Sequence, residues 1–243
     1  MLAFLCSIAL AFDHQHSGLQ AVLDRRVSAG RVDYAGLKAD PAELDRYLEA
    51  AGAVSLVGVN AAQKKAFYLN VYNALTLDLV ADHYPLRSIL DLDGGKVWDT
   101  RRFLVAGSRI TLNDLENRLL RSLGDPRIHA ALNCASLGCP PLAAKVFVAD
   151  TLDLQLDAAA SVWVAGTTVS GRTIRISKIF DWFGEDFVAG YGSQYQDLAG
   201  LEGKQEAALN FVSRYAPDKS AVIKAGNLTI QYEDYDWSLN VRR

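Results

Sequence analysis

The longest hydrophobic pattern in the chain runs from Asn60 to His83. Its apolar residues lie on every side of a 3.6-residue turn: Phe67, Leu69, Val71, Leu75, Leu77, Leu79 and Val80. A helix that is apolar all round is buried, so the pattern predicts a central helix of the core. Asn70 and Asn73 lie three residues apart and share one face of it. Buried amides need hydrogen-bond partners, so these two either tie neighbouring backbone together or reach into a site.

A second helical pattern begins at Thr111, where Asp114 supplies the acidic third position of a helix start. Its apolar stripe consists of Leu112, Leu115, Leu119, Leu120 and Leu123. At about 100° per residue, Glu116 projects into this stripe instead of onto the polar face. A carboxylate that points into a core needs a partner or has a raised pKa. Glu116 is therefore either a structural ion pair, a clamp on the backbone or a functional group.

Residues 128–133 alternate between apolar and other positions. This period of two predicts a strand with His129 and Asn133 on its less apolar face. The Ser-Leu-Gly-Cys-Pro-Pro sequence of residues 136–141 cannot continue a strand, because proline lacks a donor and glycine favours a turn. Cys134 and Cys139 thus bracket a predicted loop.

The rest of the chain alternates between helical patterns and short hairpins. Helices are predicted near residues 17–29, 41–48, 151–164, 178–189 and 202–215, hairpins at 102–110 and 167–176, and a last strand at 227–232. Helices outnumber strands, so we predict an α+β fold. It is mainly helical, with helices packed on a small antiparallel sheet of hairpins around the central buried helix. No linker-like segment interrupts residues 12–243, which we interpret as a single domain.

Composition narrows the class of protein. Half of the 243 residues are hydrophobic and 22% are charged, which is typical of a globular protein. The formal net charge is −3 and no Lys/Arg cluster is present, which argues against nucleic acid as a partner. No stretch approaches the roughly 18 apolar residues of a membrane-spanning helix, so we expect no integral membrane segment.

The first eleven residues suggest export. Residues 1–11 form an apolar run that ends in Ala9-Leu10-Ala11, a small-x-small pattern typical of signal-peptide cleavage. A buried N-terminal segment is the alternative. Removal of this segment would take Cys6 with it and leave Cys134 and Cys139 in a periplasmic or secreted protein. In such an oxidising compartment, a structural disulfide is the simplest interpretation of the pair.

Several linked motifs carry a family resemblance. They are residues 66–76 (AFYLNVYNALT), 83–85 (HYP), 112–116 (LNDLE), 125–129 (DPRIH), 133–136 (NCAS), 139–141 (CPP) and 235–237 (YDW). In this order they resemble the family called domain of unknown function 547, from about Phe12 to the C-terminus. The resemblance implies that bacterial members are often exported, and it brings no assigned substrate. The family's motif residues correspond to Asn70, Asn73, Glu116, His129 and Cys134.

The residue types support a thiol enzyme as the first functional hypothesis. Here Cys134 is the nucleophile, His129 its base, and Glu116 or Asn133 orients the histidine. Such a site transfers an acyl group to water or an amine, in the manner of cysteine peptidases or amidases, with a small molecule or peptide as substrate. Asn70, Asn73, Asn133 and Ser136 are the predicted substrate-binding residues. The weak point is distance, because five strand residues at about 3.3 Å each separate the thiol from the imidazole unless the chain bends after Asn133.

Other hypotheses compete with the thiol enzyme. A metal site through His129, Cys134 and Cys139 lacks an obvious fourth ligand and a standard zinc spacing. A redox site is disfavoured because four residues, not two, separate the cysteines. We therefore expect neither a metal nor another cofactor. The remaining alternative is a non-catalytic exported binding or scaffold protein, in which Cys134 and Cys139 form a disulfide and the polar residues form a buried network.

Overall fold

The computed structural model describes residues 12–193, 198, 201 and 203–242. Residues 1–11, on which the signal-segment prediction rests, lie outside them. The helices are α1 Ser17–Arg26, α2 Tyr34–Ala39, α3 Ala42–Ala53, α4 Ala61–His83, α5 Val97–Thr100, α6 Leu112–Asp114, α7 Ile128–Ala131, α8 Leu152–Val164, α9 Ile179–Trp182, α10 Gly184–Tyr191, α11 Gly203–Tyr215 and α12 Pro217–Lys224. The strands are β1 Val27–Ser28, β2 Arg31–Val32, β3 Phe103–Val105, β4 Ser108–Ile110, β5 Thr168–Ser170, β6 Thr173–Ile176 and β7 Thr229–Tyr232. The α+β prediction is confirmed.

Helix α4 is the buried central helix that the sequence predicts. Asn60 caps its first turn by accepting a hydrogen bond from the backbone of Gln63, whose side chain accepts one in return. The helix ends at His83, because Tyr84 precedes a proline and takes an extended conformation. Its residues from Ala66 to Leu77 are all buried except Tyr68, which is partly exposed. Across the described residues, no helix combines the length and apolarity needed to span a membrane.

The strands form small separate sheets. Three antiparallel hairpins pair β1 with β2, β3 with β4, and β5 with β6, which confirms the two hairpins predicted at residues 102–110 and 167–176. Strand β7 was predicted as a last strand, but it pairs in parallel with β6, in the register Ile174 to Ile230. The sheet prediction therefore needs a correction, because one of the pairings is parallel and joins segments far apart in the chain.

Buried apolar residues form two clusters that meet at α7. The first surrounds α4 and includes Ile128 and Ala131. The second includes Ala130 and the rings of helices α8 to α11. Every residue of α7 is buried. The short helix is thus held between two cores, which fixes the position of His129.

The predicted strand at residues 128–133 is wrong. Residues Ile128–Ala131 form one helical turn, closed by the bond from the Leu132 amide to the Ile128 carbonyl. Asp125 prepares this turn, since its carboxylate accepts from the backbone and guanidinium of Arg127. Because both sides of the segment are buried, the alternation of apolar residues carried no information about a strand face.

The helix after Thr111 begins with the predicted capping box, formed by Thr111 and Asp114. It then changes form, and Leu115–Leu120 is π-helical. The wider turn alters the direction of each side chain relative to an α-helix. Short π-helical segments occur frequently at functional sites.

Candidate functional site

A cavity of about 230 Å³ lies where these elements meet. Its lining includes Glu116, His129 and Cys134, the three residues of the thiol hypothesis, together with Cys139. Aromatic side chains make up much of the remaining wall: Tyr72, Trp98, Trp182, Phe183, Tyr235 and Trp237. The cavity therefore joins an apolar, aromatic surface to a few polar groups, which is the usual composition of a small-molecule site.

Glu116 extends from the π-helical segment into this cavity. The Tyr72 hydroxyl of α4 donates a hydrogen bond of 3.0 Å to its Oε2 atom. Burial raises the pKa of Glu116 above its ordinary value, and the nearby His129 only partly offsets this effect. Burial thus penalises the charge of this carboxylate, and among the described residues no cationic side chain forms an ion pair with it.

His129 is oriented by Asp186 of α10. Its Nε2 atom lies 2.8 Å from Asp186 Oδ2, and its ring stacks on Phe183 at a centroid distance of 4.5 Å. An ionised carboxylate only accepts hydrogen bonds, so Nε2 carries the proton and a neutral ring has Nδ1 as its acceptor. In the described part of the chain, Nδ1 has no hydrogen-bond partner of its own. The imidazole is therefore fixed by one nitrogen and available through the other.

Asp186 also binds Arg121 through two hydrogen bonds of 2.6 and 2.8 Å. Burial alone would raise the pKa of Asp186, but the bonds from His129 and Arg121 outweigh it and hold that pKa well below its usual range. The guanidinium of Arg121 lies 5.1 Å from the ring centroid of Phe183. The positive charge of Arg121 is therefore already neutralised by Asp186 within the protein.

Cys134 and Cys139 form a disulfide in the cavity wall, with their Cα atoms 6.2 Å apart. The Tyr235 hydroxyl lies 2.9 Å from Cys134 Sγ and 3.1 Å from Cys139 Sγ, and it accepts a hydrogen bond from Ser136. Burial raises the pKa of Tyr235 to about 12, so the phenol keeps its proton near neutral pH. In this oxidised state Cys134 has no thiol to act as a nucleophile.

The C-terminal segment forms backbone hydrogen bonds with the disulfide loop. Leu137 and Gly138 donate backbone hydrogen bonds of 2.8 Å to the carbonyls of Ser238 and Asp236. A Cβ atom on Gly138 would lie 2.9 Å from the Asp236 nitrogen and 3.0 Å from the Tyr235 ring. A glycine is required there because the two backbones approach so closely. This contact places Tyr235 and Trp237 on the cavity.

The aromatic wall was not predicted from the residues singled out above. Its ring centroids are 4.5 Å apart for Tyr235 and Trp237, 4.8 Å for Trp182 and Tyr235, and 6.0 Å for Trp98 and Trp237. The Tyr-Asp-Trp sequence at residues 235–237 was the one available indication, through the family resemblance. Nothing in the sequence indicated a site role for Asp186, because the pattern of α10 is that of an ordinary amphipathic helix.

The asparagines predicted to bind substrate form hydrogen bonds with the backbone in this structure. Asn70 donates to and accepts from Phe147, and Asn73 joins the Ala131 carbonyl to the Asn133 amide. Asn133 donates to the Pro140 carbonyl and accepts from the Ala135 amide, which shapes the disulfide loop. None of these side chains, nor Ser136, is part of the described cavity lining. The asparagine amides thus hold the loops around the site, and substrate binding by these residues stays a prediction.

The geometry also corrects the predicted triad. Glu116, His129 and Cys134 do face one cavity, but the carboxylate that orients His129 belongs to Asp186 and not to Glu116. Glu116 instead accepts a hydrogen bond from the hydroxyl of Tyr72. Glu116 and His129 therefore lie on the same cavity wall, but different residues hold them in place.

Comparison with known families agrees with the motif resemblance. Residues 56–164 match the family described as "Protein of unknown function, DUF547", and we assign this segment of the chain to that family. No curated protein and no solved structure matches the chain. The matched segment contains Glu116, His129 and both cavity cysteines, whereas Trp182, Asp186 and Tyr235 lie beyond it.

Proposed function

We propose that this protein is an exported binding protein that holds a small organic molecule in the cavity. The observation that carries the proposal is that aromatic rings, Glu116 and the imidazole of His129 converge on one space. Apolar walls with a few convergent polar groups are the general form of a ligand site. Its volume of about 230 Å³ lies below the roughly 300–1,000 Å³ of drug-sized pockets, so the ligand is small.

The disulfide supports both the binding role and the location. It ties Cys134 to Cys139 in the cavity wall and so limits the motion of the loop that faces the ligand. Stable disulfides are usual in the periplasm and outside the cell and rare in the cytosol. The pair therefore favours a periplasmic or secreted protein, in line with the apolar N-terminal run.

A fragment screen on the oxidised protein tests the binding function. Ligand-observed NMR with small organic compounds should give hits that bind the wild type. Trp182→Ala removes a ring that is 46% exposed at the cavity, so the fold should survive while the hits are lost. Leu154→Ala is the matched control, since Leu154 is 74% exposed and lies outside the described cavity lining. Hits that persist in Trp182→Ala, or a screen without hits, would contradict the proposal.

A thiol-dependent hydrolase or acyl transferase is the second candidate. The observation in its favour is that Cys134 and an imidazole oriented by Asp186 line the same cavity. This function requires an external thiol to reduce the disulfide. The Cys134 thiolate would then attack the carbonyl of an amide or ester, forming a thioester while His129⁺ protonates the leaving group. Water would complete the hydrolysis, and an amine would complete the transfer.

Thiol labelling separates the two candidates. Cys139→Ser leaves Cys134 without its disulfide partner, and iodoacetamide should then label Cys134 faster than an unperturbed cysteine near neutral pH if the thiol is activated. Adding His129→Asn to that variant should slow labelling to the ordinary rate. An ordinary rate in the Cys139→Ser protein itself would remove the hydrolase candidate and leave the binding proposal intact.

A further inference from the structure

The geometry points to a chemical class for the ligand: an organic cation, either a quaternary ammonium or a protonated amine, held between aromatic rings with Glu116 as its counter-ion. This inference rests on the proposed binding function of the cavity. It follows from the kind of ring surface, from the balance of charge around the cavity, and from the polar groups that remain free.

The ring surface suits a cation. Trp98 and Trp182 lie 6.0 and 6.1 Å from Trp237, measured between ring centroids, and all three line the cavity. The π face of an aromatic ring carries partial negative charge, and tryptophan attracts cations most strongly. Tyr235 adds a further ring beside Trp182 and Trp237. A compact ammonium group with methyl or methylene substituents can contact several such faces at once.

The balance of charge favours the same ligand. Among the described residues, no lysine or arginine side chain lines the cavity, whereas the Glu116 carboxylate does. Arg121 is near, but Asp186 binds its guanidinium through two hydrogen bonds. An anionic ligand would meet Glu116 without an unmatched cation to receive it. A cationic ligand would supply the charge partner that the buried carboxylate lacks.

The polar groups are too few for a sugar or another polyol. Asn117 accepts from Arg121 at 2.6 Å and donates to Asn113, so much of the amide capacity on this wall is already used. Tyr72 donates to Glu116, and Asp186 fixes His129 through Nε2. A ligand with many hydroxyl groups would bury several of them without partners, which is unfavourable.

A pair of probes with one shape and different charge tests the inference. Choline carries a trimethylammonium group, and 3,3-dimethylbutan-1-ol places an uncharged tert-butyl group in the same position. Titration of the intrinsic tryptophan fluorescence of the oxidised full chain should show choline binding about tenfold more tightly than the neutral alcohol, the range expected for cation–ring contact plus a charge partner. Glu116→Gln should remove most of this preference, because the variant lacks the counter-ion of the ammonium group. Glu185→Gln, on exposed Glu185 of α10, should keep it.

The outcomes separate this inference from the proposed function. Equal affinity for choline and the alcohol, or a preference that survives Glu116→Gln, would overturn the cation inference while binding in the cavity stands. If neutral fragments bind at Trp182 and choline does not, the cation inference is likewise overturned, and the binding function of the cavity stands. If no compound of any charge binds, the binding function itself fails.

Discussion

The Nε2 atom of His129 lies 2.8 Å from Oδ2 of Asp186, a residue 57 positions further along the chain. The same carboxylate binds Arg121. One acidic side chain of α10 therefore orients the cavity imidazole and neutralises the guanidinium of Arg121. This arrangement connects the DUF547 segment, which contains His129 and Arg121, to a helix outside it.

Removing the Asp186 carboxylate should destabilise the protein. Asp186→Asn leaves Arg121 without its partner and weakens the charge-assisted bond to His129, so we expect a loss of about 2 kcal/mol in the free energy of unfolding. Urea denaturation provides the measurement. Glu185→Gln, one residue earlier and exposed, is the control and should change stability by less than about 0.5 kcal/mol. An Asp186→Asn protein as stable as this control would show that the network is not structural.

Acid should weaken the fold through Asp125. Burial opposes ionisation, yet hydrogen bonds from Arg127 and Lys65 lower the pKa of Asp125 to about 2 from the ordinary 3.8. A lowered folded-state pKa means that the carboxylate stabilises the protein above pH 3.8 and loses this contribution as the pH falls towards 2. The contribution is about 2 kcal/mol.

Asp125→Asn tests this pH dependence. Free energies of unfolding measured from pH 6 to pH 2 should fall less steeply in the variant than in the wild type below about pH 4. The variant should also be less stable at pH 6, because Asp125 accepts from the backbone and side chain of Arg127 and so starts the turn that holds His129. Identical slopes in the two proteins would contradict the assignment.

Truncation of the central helix should have a large effect on stability. Leu77 is 2% exposed in α4, so Leu77→Ala should cost about 2–5 kcal/mol in the free energy of unfolding. The same truncation at Leu154, which is 74% exposed, should have little effect. A loss well under 1 kcal/mol at Leu77 would place α4 at the surface.

Export can be checked directly by mass. Intact-mass measurement of protein recovered from the native host should give a chain that begins near Phe12, because the apolar run before it ends in a small-x-small pattern. The cavity cysteines of that protein should resist alkylation until a reductant is added. Recovery of protein that retains Met1 would contradict the export proposal.

Much of the fold could be predicted because its patterns are long or locally complete. The apolar residues of α4 circle the axis over many turns, and each hairpin has its turn residues between its own strands. The segment at residues 128–133 failed because both of its faces are buried, so alternation there did not distinguish a strand from a helical turn. The parallel partner of β6 was not predictable, since β7 lies more than fifty residues away.

The candidate site was predictable only where one residue interrupts a local pattern. Glu116 stands out because it breaks a leucine stripe, and the cysteines stand out by their rarity. Trp182 and Asp186 belong to segments whose pattern is explained by packing alone. Their role in the site depends on contacts between segments that are distant in the chain, and local hydrophobic patterns do not predict such contacts.

The most direct test of the binding site is a crystal structure of the oxidised protein with the strongest-binding fragment or with choline. We predict ligand density among the rings of Trp98, Trp182 and Trp237, in contact with Glu116, and with the Cys134–Cys139 disulfide intact. Ligand density elsewhere on the protein, with this cavity free of it, would contradict the account.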